Sequence, residues 1–151
     1  MKNVKYSNLR DWVSLLIGII FTVLFWVFAT PIYELMYYDA EFSNEMFNEN
    51  MYFVIAVITS LISWGIAITY YWVVDYLDRW YHWIVAFVIS VFCTPVVTFV
   101  YPDSTFSEIN MDFSIQLGNF AIINVVVGII LFLLASFSVK NLSSHCSATP
   151  F

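Results

Sequence analysis

Apolar and charged residues are sorted along this chain into long blocks. Four runs, Trp12–Ala29, Phe53–Val74, Trp83–Tyr101 and Phe113–Val139, contain no Asp, Glu, Lys, Arg or His. A helix rises about 1.5 Å per residue, so about 20 residues cross the roughly 30 Å hydrocarbon core of a bilayer, and each run is close to that length or beyond it. Backbone N–H and C=O groups find no partners in lipid, which makes a helix the structure such a run adopts. With their interfacial ends the runs predict spans at 12–30, 52–74, 82–101 and 113–139. The expected fold is all-α: a polytopic membrane protein whose four transmembrane helices form a bundle. The spans leave too few residues for a second core, so residues 1–151 are read as one membrane domain.

Small residues recur within the runs at helical spacing. They are Ser14, Gly18 and Thr22 in the first, Ala56, Ser60, Ser63 and Ala67 in the second, Ala86, Ser90, Thr94 and Thr98 in the third, and Gly118, Ala121, Asn124, Gly128 and Ala135 in the fourth. Helices in lipid gain nothing by hiding apolar surface from apolar tails. They associate where small side chains let backbones approach and where polar groups bond across the interface. The stripes therefore predict the faces on which the helices meet. Pro95 removes a backbone bond and is expected to kink the third span, with Thr94 placed to restore part of what is lost.

Asn124 stands apart among the intramembrane residues. It lies near the middle of the fourth span, where an amide without partners would cost several kcal/mol. Thr22, Ser63, Ser90 and Thr94 lie at comparable depth and are the expected partners, while Gln116 and Asn119 continue a polar ladder toward the surface. Such a ladder is either interhelical glue or a site for an ion or solute. Glue is preferred, because interhelical hydrogen bonds are common and each is worth only about 0.6–2 kcal/mol.

Two halves of the chain also echo each other. Phe28-Ala29-Thr30-Pro31-Ile32 recurs as Phe92-Cys93-Thr94-Pro95-Val96, Phe42-Ser43-Asn44-Glu45 as Phe106-Ser107-Glu108, and Asn50-Met51-Tyr52-Phe53 as Asn110-Met111-Asp112-Phe113. Two readings stand: a pair of pseudo-repeated hairpins about an axis along the membrane normal, or chance likeness among aromatic-rich apolar segments.

Composition adds weight to the membrane reading. Hydrophobic residues make up 62% and charged residues 11%, against about a quarter charged in soluble domains. Mean hydropathy is +0.83. The few charges are segregated, and this decides orientation. Lys2, Lys5, Arg10, Arg79 and Lys140 all fall on one side of the four spans, whereas Glu34, Asp39, Glu41, Glu45, Glu49, Asp103, Glu108 and Asp112 fall on the other. Fixed charges come to +2 on the first side and −8 on the second, consistent with the net −6. Cytoplasmic loops retain Lys and Arg, so both termini are expected in the cytoplasm, in a plasma membrane or bacterial inner membrane. Tyr and Trp around Asp75–Arg79 form an inner interfacial belt, and Tyr33, Tyr37, Tyr38, Tyr52 and Tyr101 an outer one. Within the inner belt, His82 is read as a headgroup contact rather than a proton carrier.

The first run is expected to be a retained anchor, since it exceeds a signal-peptide core and ends at Thr30-Pro31, a poor processing site. Cys93 and Cys146 sit too far apart in the predicted topology to form a disulfide framework. The outer loop from Pro31 to Asn50, drawn as one helix, places Glu34, Glu41, Glu45 and Glu49 on a shared face beside Leu35, Phe42 and Met46. Like charges four residues apart oppose that helix unless a basic partner, metal ions or counterions offset them; a merely solvated face is the plainer reading. The spacing is not that of a Ca²⁺ loop. In the second outer loop, Thr105-Phe106-Ser107-Glu108 fits a capping box that would open the fourth helix.

Enzyme chemistry has little to build on here. There is no His/Cys ligand cluster, no Gly-rich phosphate loop, no carboxylate pair within the spans and no base beside the intramembrane serines. No cofactor is implied, and the dispersed cations give no footprint for nucleic acid. Two function classes remain. The preferred one is a non-catalytic membrane subunit, an adaptor, scaffold or immunity-type protein, working through helix packing and acidic outer loops. Its partners would be membrane lipids and other membrane protein subunits, or its own copies. The alternative is a small oligomeric channel or facilitator whose acidic outer mouth attracts cations.

Charge segregation yields a direct test of topology. Single cysteines at Glu45 and Ser104 are expected to react with a membrane-impermeant maleimide on intact cells, and native Cys146 only after permeabilisation. Labelling of Cys146 in intact cells would reverse the orientation.

Overall fold

The computed structural model describes residues 9–73, 79–108 and 111–143, and these fold as six helices with no strand among them. In chain order they are α1 (Leu9–Val27), α2 (Ala29–Met36), α3 (Ala40–Asn48), α4 (Met51–Ile68, continued by a π-helical turn over Thr69–Val73), α5 (Trp80–Glu108) and α6 (Ser114–Lys140). Three are each long and apolar enough to cross a membrane: α4 with its π turn, α5 and α6. α1 and α2 reach that length only as a pair, bent by 72°. Lys2, Lys5, the Asp75–Asp78 part of the inner turn, His145 and Cys146 lie outside the described residues.

The span expected over 12–30 is therefore, within the described residues, two helices joined at a bend. Pro31 has no N–H to give the Val27 carbonyl, and its ring crowds that carbonyl, so the helix breaks at Phe28. Backbone bonds on either side persist, from Phe28 N to Leu24 O (3.0 Å) and from Ile32 N to Phe28 O (3.1 Å). The break is thus a change of direction between two intact helices. α5, in contrast, runs helical through both Pro95 and Pro102. The carbonyl orphaned by Pro95 is that of Val91, and Thr94 Oγ1 donates to it at 3.2 Å, the compensation expected of Thr94. α5 also lies along α6 in the most extensive contact between described helices. The two Thr-Pro segments therefore do different things, and the helical geometry gives the duplication no support.

α6 is the central element and touches α1, α4 and α5. Two glycines set how closely. A Cβ built on Gly128 would stand 2.7 Å from Thr94 Oγ1 on α5, and one on Gly18 of α1 would stand 2.0 Å from Ser138 Oγ and 2.8 Å from Ser138 Cβ on α6. These are the close approaches that small-residue stripes predict. Hydroxyls and indoles bond across the α1–α4 contact as well. Trp64 Nε1 donates to Thr22 Oγ1 (3.0 Å), and Trp26 Nε1 donates to Ser60 Oγ (2.9 Å).

The acidic loop also differs from expectation, being two helices rather than one. The chain is extended at Tyr37 and Asp39, and Asp39 then caps α3: its Oδ1 accepts from Phe42 N at 3.1 Å while Ser43 Oγ accepts from Asp39 N at 3.3 Å. α3 buries Phe42, Ser43 and Met46. Phe42 packs against Phe106, Phe113 and Phe120, with ring centroids 5.7–6.1 Å away. Asn50, at φ 54° and ψ 26°, makes the left-handed turn into α4, a conformation that Asn tolerates better than most residues. Thr105–Glu108 corrects a further expectation: it closes α5 instead of opening α6. The α6 start is held by Asp112, whose carboxylate accepts from Ser114 N (3.1 Å) and from the Ser114 hydroxyl. Those bonds keep the Asp112 carboxyl below its ordinary pKa, the side-chain bond being the larger cause.

We call the end that carries α2 and α3 the cap end. The opposite, terminal end carries the start of α1 and the end of α6, where Ser14 Oγ meets Phe137 O at 3.4 Å.

Glycine substitutions separate packing from mere composition. Gly18→Ala and Gly128→Ala are expected to lower stability in detergent by about 1–3 kcal/mol, as overpacking does. Gly65→Ala and Gly118→Ala, where a Cβ meets nothing within 4 Å, should be neutral or stabilising by up to about 1 kcal/mol, the Gly-to-Ala helix preference. Thermal melts of the four variants check the contrast.

Candidate functional site

A polar side chain at the centre of the described core is Asn124, which is 0% exposed. Its Oδ1 accepts from the Tyr33 hydroxyl at 2.6 Å, and its Nδ2 donates to Thr59 Oγ1 at 2.9 Å and to Thr98 Oγ1 at 2.5 Å. Tyr33 belongs to α2, Thr59 to α4 and Thr98 to α5. One α6 side chain therefore ties three other helices together. The Thr98 hydroxyl donates its own proton to Thr94 O at 2.7 Å, so the network continues into the α5 backbone. Aromatic rings wrap the knot: Tyr33 lies 5.0 Å from Phe120, 5.9 Å from Phe25 and 6.0 Å from Tyr52 between centroids. A low-dielectric wrapping strengthens such bonds and makes an unmade one expensive.

The expected partners of Asn124 are elsewhere. Thr22 donates to Gly18 O (2.9 Å) and accepts from Trp64. Thr94 sits one turn along α5 from Thr98, over Gly128. Ser63 and Ser90 are fully buried on α4 and α5, and neither hydroxyl has a hydrogen-bond partner among the described residues. Nor does the ladder form. Asn119 is exposed and Gln116 half-buried, because five residues along a helix turn a side chain by roughly 140° and eight by about 80°. Of the seven intramembrane polar residues singled out from the sequence, only Asn124 is in the knot.

Three knot residues were not anticipated. Thr98 was legible, since it belongs to the stripe of α5, and Thr59 precedes Ser63 by four residues on the same face of α4. Both lie about one turn nearer the cap end than the residues expected at that depth. α5 runs on to Glu108 and α6 begins only at Ser114, which shifts the level of Asn124 toward the cap. Tyr33 had no such signal, since its place depends on the bend at Phe28.

A second polar cluster lies toward the terminal end. Ser136 Oγ accepts from Trp83 Nε1 at 2.8 Å and shares a hydrogen bond with the Tyr71 hydroxyl at 3.0 Å, and Ser143 Oγ donates to Tyr71 O at 2.9 Å. Tyr71 belongs to the π-helical turn, which turns it inward to zero exposure.

The acidic surface is divided by the fold. Glu34 lies on α2, half-buried, apart from Glu41 and Glu45 on α3 and Glu49 at its C-terminal cap. Glu41 and Glu49 are exposed and Glu45 is half-buried, with Phe47 exposed between them. The four carboxylates do not share one helix face, as a single helix over Pro31–Asn50 would have required. Among the described residues no three His, Cys, Asp or Glu side chains are gathered as a metal ion would need. No protein-family model, curated protein or solved structure matches the chain.

Removing the amide tests the knot. Asn124→Leu leaves Tyr33, Thr59 and Thr98 without their common partner, and the expected loss in detergent is no more than about 2 kcal/mol, the upper range for such interhelical bonds. Hydrogen exchange should rise first in α2, which Tyr33 anchors. Unchanged exchange there would mean that ring packing alone holds α2 in place.

Proposed function

We propose that the chain is a non-catalytic integral membrane subunit, an adaptor, scaffold or immunity-type protein. In this reading it crosses the membrane four times, α1 and α2 forming one bent span, with both termini cytoplasmic and the cap end outside. It acts on other membrane protein subunits, or on its own copies, through helix faces and its acidic outer surface.

The observation that carries this reading is the saturation of Asn124. A solute site keeps donors or acceptors free for its ligand, whereas here the amide oxygen and both amide hydrogens are engaged by α2, α4 and α5. The Asn124 amide is thus a tie between helices. Ionisable groups agree with this. Asp11 apart, every described carboxylate and cation whose side chain is placed lies in an exposed or half-buried position, while proton and ion pathways through membranes run over buried ionisable residues. The outer faces of α1 and α5, open to a neighbouring copy, are apolar. Those expose Ile17, Ile20 and Phe21 on one and Ile89, Phe92 and Val96 on the other, which suits lipid or a neighbouring helix and offers an ion nothing.

Beyond the long helices, α3 offers a surface for recognition. Glu41, Glu45 and Glu49 flank the exposed ring of Phe47, a combination suited to a partner that is both basic and apolar. Substituting all three by Gln is expected to weaken association with such a partner at least tenfold at low salt. The wild-type advantage should fade as salt rises, because exposed charges are screened over about 8 Å at physiological ionic strength. The helix core should be unaffected. Crosslinking and co-purification across a salt series check this, with cation flux into proteoliposomes run in parallel. Flux carried by the pure chain and abolished by the triple variant would favour the channel instead.

A further inference from the structure

Toward the terminal end, a groove of ≈ 300 Å³ opens on the outside of the molecule between α4 with its π turn and α5. Tyr70 and Ala86 are buried in it, and Gly65, Thr69, Val85 and Ile89 line it as exposed residues. We propose that this groove is a phospholipid site, holding an acyl chain along its length and the lipid phosphate at the start of α5, beside Arg79 and His82. The proposal rests on the chain being embedded in a membrane and is independent of the acidic surface.

Gly65 is the first reason. Glycine is the second-worst residue for a helix interior, and the usual justification, close approach of another helix, applies to Gly18 and Gly128 but not here. A Cβ on Gly65 would meet nothing within 4 Å, and its φ is not positive. Neither packing nor backbone conformation calls for the missing side chain. What its absence does is keep the groove open beside Ala86, between the larger Ile66, Val85 and Ile89. The volume is that of a small ligand site, and the lining is suited to hydrocarbon.

The polar end is the second reason. His82 lines the groove, and its Nδ1 is buried without a hydrogen-bond partner among the described residues. A buried ring nitrogen in that condition wants a partner. Arg79 stands immediately before α5, where the helix dipole favours an anion. Both walls of the groove hold Arg79 there: His82 N donates to Arg79 O at 3.0 Å, and the Tyr70 hydroxyl donates to the same oxygen at 3.3 Å. The guanidinium is exposed over the Tyr81 ring, 5.9 Å from its centroid. An apolar slot ending at a cation, a helix N-terminus and an imidazole matches the order of chemistry along a phospholipid, tail and then phosphate. A side chain from a neighbouring helix or a second copy would fill the slot but leave that end unanswered.

The test is native mass spectrometry of the full chain released from phospholipid nanodiscs, with retained lipid counted per chain. The wild type is expected to keep one phospholipid. Gly65→Leu, whose side chain enters the groove, should reduce retention at least tenfold, and Arg79→Gln several-fold, while Gly118→Leu, at an open position elsewhere, should match the wild type. A phospholipid with a photoreactive acyl chain, applied to the wild type, should label α4 and α5 at the groove, which keeps the test decisive should Gly65→Leu fail to fold. Equal retention by Gly65→Leu, labelling spread evenly over all helices, or a wild-type dimer that Gly65→Leu separates would each overturn the proposal. A chain extracted from membranes by alkaline carbonate would fail the membrane reading itself, whereas an embedded chain without bound lipid fails this inference alone.

Discussion

An amide carried into hydrocarbon must bring its hydrogen-bond partners with it, and the outer form of this protein follows from how Asn124 meets that demand. Two partners come from α4 and α5, which lie beside α6 in any case. The third comes from α2, and reaching Asn124 requires the chain to turn inward by 72° after Val27. Pro31 makes the turn inexpensive by removing the bond that would have resisted it, and Tyr33, two residues later, makes it favourable. Once α2 is drawn in, α3 follows with Phe42 and Met46, which join Phe106, Phe113 and Phe120 in the larger of the two described clusters of buried residues. The cap is thus a consequence of one buried side chain and one proline.

The terminal end satisfies its buried polar groups differently. Ser136 has one hydroxyl and serves two aromatic side chains, Tyr71 and Trp83. The π turn that presents Tyr71 also disturbs the regular backbone pattern of α4, and Ser143 donates to the Tyr71 carbonyl. Hydroxyls at this end are shared singly, whereas the amide at the other end binds three segments at once. This asymmetry fits the exposed surfaces. The cap end closes over its knot with rings and presents the outer sides of α2 and α3, while the terminal end leaves a groove between α4 and α5.

Much of this was legible in the residue pattern, and the failures have common causes. Uninterrupted apolar runs identify α4, α5 and α6 because nothing else of that length and composition is satisfied outside an apolar core or a bilayer. The stripes identify contact faces because backbone approach demands small residues, as Gly128 against Thr94 shows. The first span misled because Thr30-Pro31 and Thr94-Pro95 read alike, yet one breaks a helix at its end and the other lies in a helix braced along its length by α6. Partners of Asn124 were displaced by a turn because depth was reckoned from the ends of apolar runs, and α5 continues past Tyr101 with Asp103 and Glu108 still helical. Glu34 was assigned to a face it does not share because Asp39 stops one helix and caps another, an event visible as an Asp three residues before Phe42 only once the break is known.

Buried polar groups in a membrane protein are often read as the site of action, and here the geometry turns that inference around. Asn124 has its oxygen and both amide hydrogens engaged by other helices and no exposed surface, so it is closed to a ligand. Buried polar atoms without a partner among the described residues lie both inside, at the Ser63 and Ser90 hydroxyls, and at an edge, at His82 Nδ1 beside the groove. A group whose demands are met within the fold stabilises the fold, and the four-way tie at Asn124 does so by holding α2, α4 and α5 to α6.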